Sequence, residues 1–220
     1  MVKKLKPEDV VTKLNPCISK AHYDLKHLKS ALVDWEDRYK VVELNPDFQR
    51  GHIWSEHQQT KFIEGMLKNT VSESSLTIHF NNPYYKGHEP KNTDLPNGFQ
   101  CIDGLQRLTA ILKYLNGELY PFGYDVNFFN TQYEYSGSYL YIYIAIYSYE
   151  KKKDLLEHYL AINEGKTVHT DEELNRVKGM INELEKTSKQ DLKSAKTEAK
   201  KLADEVEKLF DKCVKQLNLK

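Results

Sequence analysis

One short stretch, Cys101-Ile102-Asp103-Gly104-Leu105-Gln106-Arg107-Leu108-Thr109-Ala110, constrains the fold of this chain more than any other. Residues 99–102 read as an apolar strand and Asp103-Gly104 as a turn. Residues 105–115 carry apolar side chains at helical spacing until Asn116-Gly117 ends the helix. A strand that passes through a glycine straight into a helix leaves unpaired N–H groups and the positive end of the helix dipole at the turn, which is what a phosphate site needs. Gly104 lets the backbone approach an anion or take a positive φ. Arg107 can fork onto phosphate oxygens. Asp103 can hold a metal or orient water, and Gln106 can position water or a base. The same residues equally suit an Asp-Gly turn capping an ordinary helix, with Arg107 on its surface. From these residues alone the two readings stand level.

The neighbouring segments predict an α+β fold: a small mixed sheet flanked by helices, with a C-terminal helical extension. Residues 1–21 form a loose lead-in, 22–170 a domain, and 171–220 a tail. Within the domain, Leu25, Leu28, Leu32 and Trp35 predict a helix over 22–39, and Val41-Val42-Glu43-Leu44 a short strand halted by Asn45-Pro46. Ser55 is positioned to cap a helix over 56–68. Strands are expected at 76–80, 99–102, 125–129 and 139–147, the last as a central strand, with a Pro/Gly/Asn-rich loop over 81–98. A helix over 151–162 and a loop over 163–170 follow. In the tail, Leu192, Ala195, Ala199, Leu202, Val206, Leu209 and Cys213 fit a heptad seam. A helical hairpin packed on the domain is the favoured reading and a coiled-coil dimerisation arm the other, with Lys-Gln-Asp near 189–191 either at a break between two helices or inside one long one.

Charge excludes one class of partner and leaves others. Lys plus Arg and Asp plus Glu both number 32, so nothing drives the whole molecule toward nucleic acid or an anionic membrane, and a local patch must do so if anything does. Lysines cluster at 151–153 and 196–201. Cys17, Cys101 and Cys213 are scattered and odd in number, which suits a reduced, cytoplasmic protein and no disulfide framework. No apolar run nears the ~20 residues of a membrane span, and the start lacks a signal-peptide core.

A second dense constellation is Asn45-Pro46-Asp47-Phe48-Gln49-Arg50-Gly51-His52-Ile53-Trp54. The four arginines are Arg38, Arg50, Arg107 and Arg176, and two of them directly follow a glutamine. Planar bidentate recognition needs arginine where a solvated surface does not, so Arg50 and Arg107 are expected to converge on one anionic ligand. Phe48 and Trp54 are expected as core anchors, and Glu43 as an exposed strand residue rather than a general base. His52 and His57 lack a completing ligand set for zinc. Gly165-Lys166-Thr167 is not a P-loop, because Leu160 stands where that pattern requires glycine.

Three blocks together resemble the ParB/sulfiredoxin-like superfamily, and within it the amino-terminal domain of GmrSD-type modification-dependent restriction systems (domain of unknown function 262). Leu44-Asn45-Pro46-Asp47-Phe48-Gln49-Arg50-Gly51-His52-Ile53-Trp54 is similar to that family's Pro-x-[Phe/Tyr]-Gln-Arg-x-x-x-Trp. Ile102-Asp103-Gly104-Leu105-Gln106-Arg107-Leu108-Thr109 is similar to its Asp-Gly-Gln-Gln-Arg motif, and Tyr159-Leu160-Ala161-Ile162-Asn163-Glu164-Gly165-Lys166-Thr167 to its Ile-Asn-x-Gly-x-Thr segment. Order and spacing agree across residues 22–185.

The resemblance implies a protein that binds, and is expected to hydrolyse, a nucleoside triphosphate with Mg²⁺ while acting on or regulating nucleic acid in a restriction, defence or counter-defence system. An NTPase or nuclease activity (a hydrolase) is the implied chemistry. Asp103, Gln106 and Arg107 would be catalytic, with Asp103 also the metal ligand. Asn45, Gln49, Arg50, Gly104 and Arg107 would bind the nucleotide. Leu105 departs from the motif, which has glutamine there, and puts hydrolysis in doubt while leaving binding. The alternative is a non-catalytic module or inhibitor that binds DNA or protein through a degenerate site. DNA, a partner protein, or a second copy through the helical tail are the further expected partners.

Overall fold

The computed structural model describes residues 6–7, 10–11, 13–85, 90, 92–163 and 171–217, with side-chain surroundings described as far as residue 202. The chain divides into two compact units, 1–166 and 167–220.

The first unit is built on a five-stranded mixed sheet. Its strands are β1 (Ser19–Asp24), β2 (Val42–Glu43), β3 (Thr77–Asn81), β4 (Phe99–Asp103) and β5 (Tyr141–Tyr147), in the order β1-β5-β3-β4-β2. β1 runs antiparallel to β5 and β3 antiparallel to β4, whereas β3 with β5 and β2 with β4 are parallel. The helices of this unit are α1 (Leu25–Tyr39), α2 (Glu56–Leu67), α3 (Glu73–Leu76), α4 (Leu105–Leu115), α5 (Val126–Asn130) and α6 (Lys152–Asn163). Ile78, Phe80, Phe99, Ile142, Ile144 and Ile146 of the sheet join Leu25 and Leu28 of α1, Ile63 of α2, and Leu108 and Ile111 of α4 in one buried cluster. Trp35 stacks on Phe99, with ring centroids 4.2 Å apart, and ties α1 to β4.

Local signals explain the helix boundaries. Ser55 and Gln58 form a reciprocal capping box at the start of α2, satisfying two donors that the first turn cannot. α4 occupies residues 105–115, as its apolar spacing predicts. β5 is paired on both sides, which agrees with its continuous apolar and aromatic run.

Two expectations need correction. The segment 125–129 is not a strand but the helix α5, because the Asp125 side chain accepts the Phe128 N–H and caps a helical turn. The helix expected from residue 22 begins at Leu25, since 19–24 form β1. Six paired positions along β5 outweigh the weak strand propensity of Lys20-Ala21-His22.

The second unit contains α7 (Asp171–Leu217), a single helix that runs unbroken through 189–191, where the sequence allows a break. It does not fold back there as a hairpin. Leu192 and Leu202, on the expected heptad seam, are 58% and 62% exposed. Among the described residues no helix is long and apolar enough to cross a membrane.

Candidate functional site

The turn between β4 and α4 is where two of the sequence blocks meet. Gly104 takes φ 111° and N-caps α4, and its carbonyl accepts the Leu108 N–H as the first helical hydrogen bond. A Cβ at Gly104 would lie 2.7 Å from Ile78 Cδ1, so both backbone conformation and packing against β3 require glycine. One extra residue of β4 relative to β3 between Cys101 and Asp103 disturbs the ladder just before the turn and re-aims the end of the strand.

Residues 45–54 are fastened to that turn by glutamines. Gln106 Nε2 donates to the Gly51 carbonyl at 2.8 Å, while its Oε1 accepts the N–H groups of Ile53 and Trp54 at 2.9 and 3.0 Å. The Gln49 side-chain amide donates to the Cys101 carbonyl in the middle of β4. Arg50 lies between these two anchors in the chain, so its backbone is held against the strand–turn–helix junction from both sides. The Asn45 side chain lies beside Gly51, which adopts φ 78°. Phe48 is 1% exposed, the core anchor its position predicts, and meets the ring of Tyr159 edge-on at 5.3 Å. Asp47 pairs with Lys152 at 2.6 Å. Through Phe48 and Asp47 the same loop is fixed to α6, which carries the start of the third sequence block.

Arg107 turns toward protein oxygens. Nη1 donates to the carbonyls of Ser74, Ser75 and Thr77 at 3.2, 2.9 and 2.9 Å, and Nη2 meets Asp103 Oδ2 at 2.9 Å. The Arg107 and Asp103 side chains are only 13% and 18% exposed. The guanidinium therefore caps the carbonyl end of α3 and joins it to the turn. The close approach of Gln49 and Gln106 to the opposite loop is the contact that brings the two motifs together. The Arg107 guanidinium is thus engaged by Asp103 and three carbonyls, where the sequence expects it on an anionic ligand shared with Arg50.

The surroundings are largely inert. Cys101 is buried, which pushes its thiol up to about 12, and neighbouring Asp103 adds to the rise. Leu105 is 7% exposed and belongs to the core, so no polar group stands where the motif has glutamine. Glu43 Oε2 accepts from Gln100 Nε2 at 2.7 Å on adjacent strands. Two of the three lysines at 151–153 are in ion pairs, Lys152 with Asp47 and Lys153 with Glu157. Asn163 is 1% exposed; its Nδ2 donates to the Tyr159 carbonyl, and among the described residues its Oδ1 has no hydrogen-bond partner. The remainder of the third block, 164–167, lies outside the described residues. Among the described residues there is no group of three or more His, Cys, Asp or Glu able to hold a metal.

Sequence reasoning missed the cross-linking role of Gln49 and Gln106. The signal was present in their repeated Gln-Arg context, but arginine drew the functional assignment because it is the stronger anion ligand. The Asp103–Arg107 ion pair was missed as well, although its four-residue spacing across a helix start was the signal that could have found it.

A family model described as GmrSD restriction endonuclease, N-terminal domain, matches residues 32–219. No curated protein and no solved structure matches the chain.

Proposed function

The chain belongs to the family of GmrSD restriction endonuclease N-terminal domains, and from that premise we propose that it binds a nucleoside triphosphate while acting on nucleic acid in a restriction or defence system. The observation that carries the nucleotide reading is the pair of glutamine links, Gln49 to the Cys101 carbonyl and Gln106 to the Gly51 carbonyl. They hold the backbone of Arg50 beside the N-terminal end of α4, which supports a reading in which the Arg50 cation and the positive helix end share one polyanion. In this reading Arg50 and Asn45 meet the phosphates beside the Gly104 turn. Gln49, Gln106, Asp103 and Arg107 act as positioning residues that fix the two loops.

Mg²⁺ suits this arrangement in one way only. Asp103 supplies a single carboxylate, already paired with Arg107. A donor set that small fits a Mg²⁺ that arrives held mainly by the triphosphate and supplies charge neutralisation there.

Leu105 supports binding without turnover as the second reading. Its side chain is part of the core, so the position that carries glutamine in the motif offers nothing to orient water. The nucleotide would then act as a ligand that orders the loops.

Calorimetric titration of the intact chain with each of the four ribonucleoside triphosphates, with and without Mg²⁺, tests the proposal. Binding of at least one is expected, weakened tenfold or more in Arg50→Ala. Absence of binding for all of them overturns the nucleotide reading. Phosphate release separates the two versions: release by the parent supports hydrolysis, whereas binding with no release supports the ligand role.

A further inference from the structure

Between residues 120 and 128 four large aromatic side chains stand out of the surface. Tyr120 is 57% exposed, Phe122 44%, Tyr124 50% and Phe128 51%. They are not scattered. Tyr124 and Phe128 lie face to face, centroids 4.1 Å apart and planes 19° from parallel. Phe128 also meets the buried Phe129 edge-on at 5.3 Å, and Phe122 approaches Phe129 from another side at 6.5 Å. The rings of Phe122, Tyr124 and Phe128 are thus connected through Phe129, which roots them in the core. A contiguous exposed apolar patch of this kind marks an interaction site.

The backbone accepts strain to present it. Phe122 has φ 54° and ψ 17°, a left-handed conformation that is an outlier for a bulky residue. It is held by Glu64, a buried carboxylate on α2 that accepts the Phe122 N–H at 3.2 Å. The strained backbone here presents a ring to solvent rather than burying it, and residues held in such φ/ψ regions cluster at functional sites.

Charge decides what the patch fits. The one acidic residue within 120–128, Asp125, has its carboxylate turned to the Phe128 N–H as a helix cap. Glu64 is neutralised by Lys61 at 2.7 Å. Lys68 Nζ sits 5.0 Å over the Phe122 ring. The face therefore offers flat π surfaces with a cation beside them and its carboxylates engaged, complementary to bases joined by phosphates.

We propose that this aromatic platform stacks the unpaired nucleobases of a single-stranded or locally opened nucleic acid, with Lys68 meeting the adjoining phosphate. The inference rests on the nucleic-acid side of the reading above and is independent of the triphosphate site. It gives the domain a preference for unpaired over paired bases, since a duplex hides the faces that the rings require.

Fluorescence anisotropy with a labelled single strand and the blunt duplex of the same sequence tests it on the intact chain. The parent is expected to favour the single strand. The double variant Tyr124→Ser/Phe128→Ser is expected to lose about tenfold or more in single-strand affinity, with duplex affinity changed less than twofold. Phe122→Gly is the decisive control. Glycine accepts the positive φ without strain, so this variant is expected to melt no lower than the parent while binding the single strand more weakly. Single-strand affinities within twofold of the parent in both variants overturn the inference. So does loss of self-association in those variants with DNA binding unchanged, which would make the patch a protein interface. A parent that binds no single strand also overturns it, and the triphosphate titration of the same sample shows separately whether the nucleotide reading survives.

Discussion

Gln106 and Gly51 meet across 55 positions of sequence, the glutamine Nε2 donating to the glycine carbonyl at 2.8 Å. The other end of the same amide accepts two further N–H groups from Ile53 and Trp54. One side chain thereby satisfies three backbone groups of a loop that has little regular structure of its own. Gln106→Leu keeps the volume and removes all three bonds, and is expected to cost about 1–3 kcal/mol. Urea denaturation measures the loss. Faster amide exchange confined to residues 51–54 would show that the loop is released first, and unchanged exchange there would contradict the anchoring role.

Arg107 is expected to matter for stability before it matters for any ligand. Arg107→Ala removes an ion-pair partner of a largely buried carboxylate and uncaps three carbonyls, at a cost of about 3 kcal/mol. Arg107→Lys keeps the charge but cannot span the Asp103 carboxylate and the carbonyls together, and should fall between parent and alanine. Denaturation midpoints equal to the parent in both variants would remove the clamp from the account of this turn.

At the turn itself, Gly104→Ala combines a positive φ with a contact to Ile78 that is too close. The expected loss is about 1–3 kcal/mol. Adding Ile78→Val removes the Cδ1 atom that lies 2.7 Å from the new Cβ. The double variant should regain part of the loss, and the rest measures the backbone. Strict additivity of the two substitutions would show that the close approach has no energetic weight.

Glu64 gives the molecule an acid-sensitive contact. Its hydrogen bond from Lys61 holds the carboxyl below its usual value of 4.5, against the opposing effect of burial, and the Phe122 N–H lowers it further. A carboxylate with a lowered folded-state value contributes stability above the unfolded value and loses it as pH falls through the folded one. The stability difference between the parent and Glu64→Gln is therefore expected to shrink between about pH 6 and about pH 3. A constant difference across that range, read from urea midpoints, would mean that the ionised form is not favoured by folding.

Local chemistry made much of the domain legible from its residues. The capping box of Ser55 and Gln58, the run 105–115 ended by Asn116-Gly117, and the strand before Asp103-Gly104 all depend on neighbours within a few positions. The same kind of signal failed at 125–129. Its aromatic residues favour a strand, but Asp125 capped a helical turn whose outward rings remain exposed. β1 was missed for the opposite reason: its strand character comes from pairing with β5, more than a hundred residues later.

The candidate site divides along the same line. Residue order alone marked 45–54 and 101–109 as related blocks, because each sets an arginine directly after a glutamine close to a glycine. Which groups those side chains engage was decided only by the tertiary structure. A guanidinium goes to whatever acceptors the fold brings within 3 Å or so, and here those acceptors were the carbonyls of 74, 75 and 77, about thirty residues upstream and on another element. Short-range sterics and hydrogen bonding set the elements. The partners of long polar side chains follow from packing, which no local window of sequence contains.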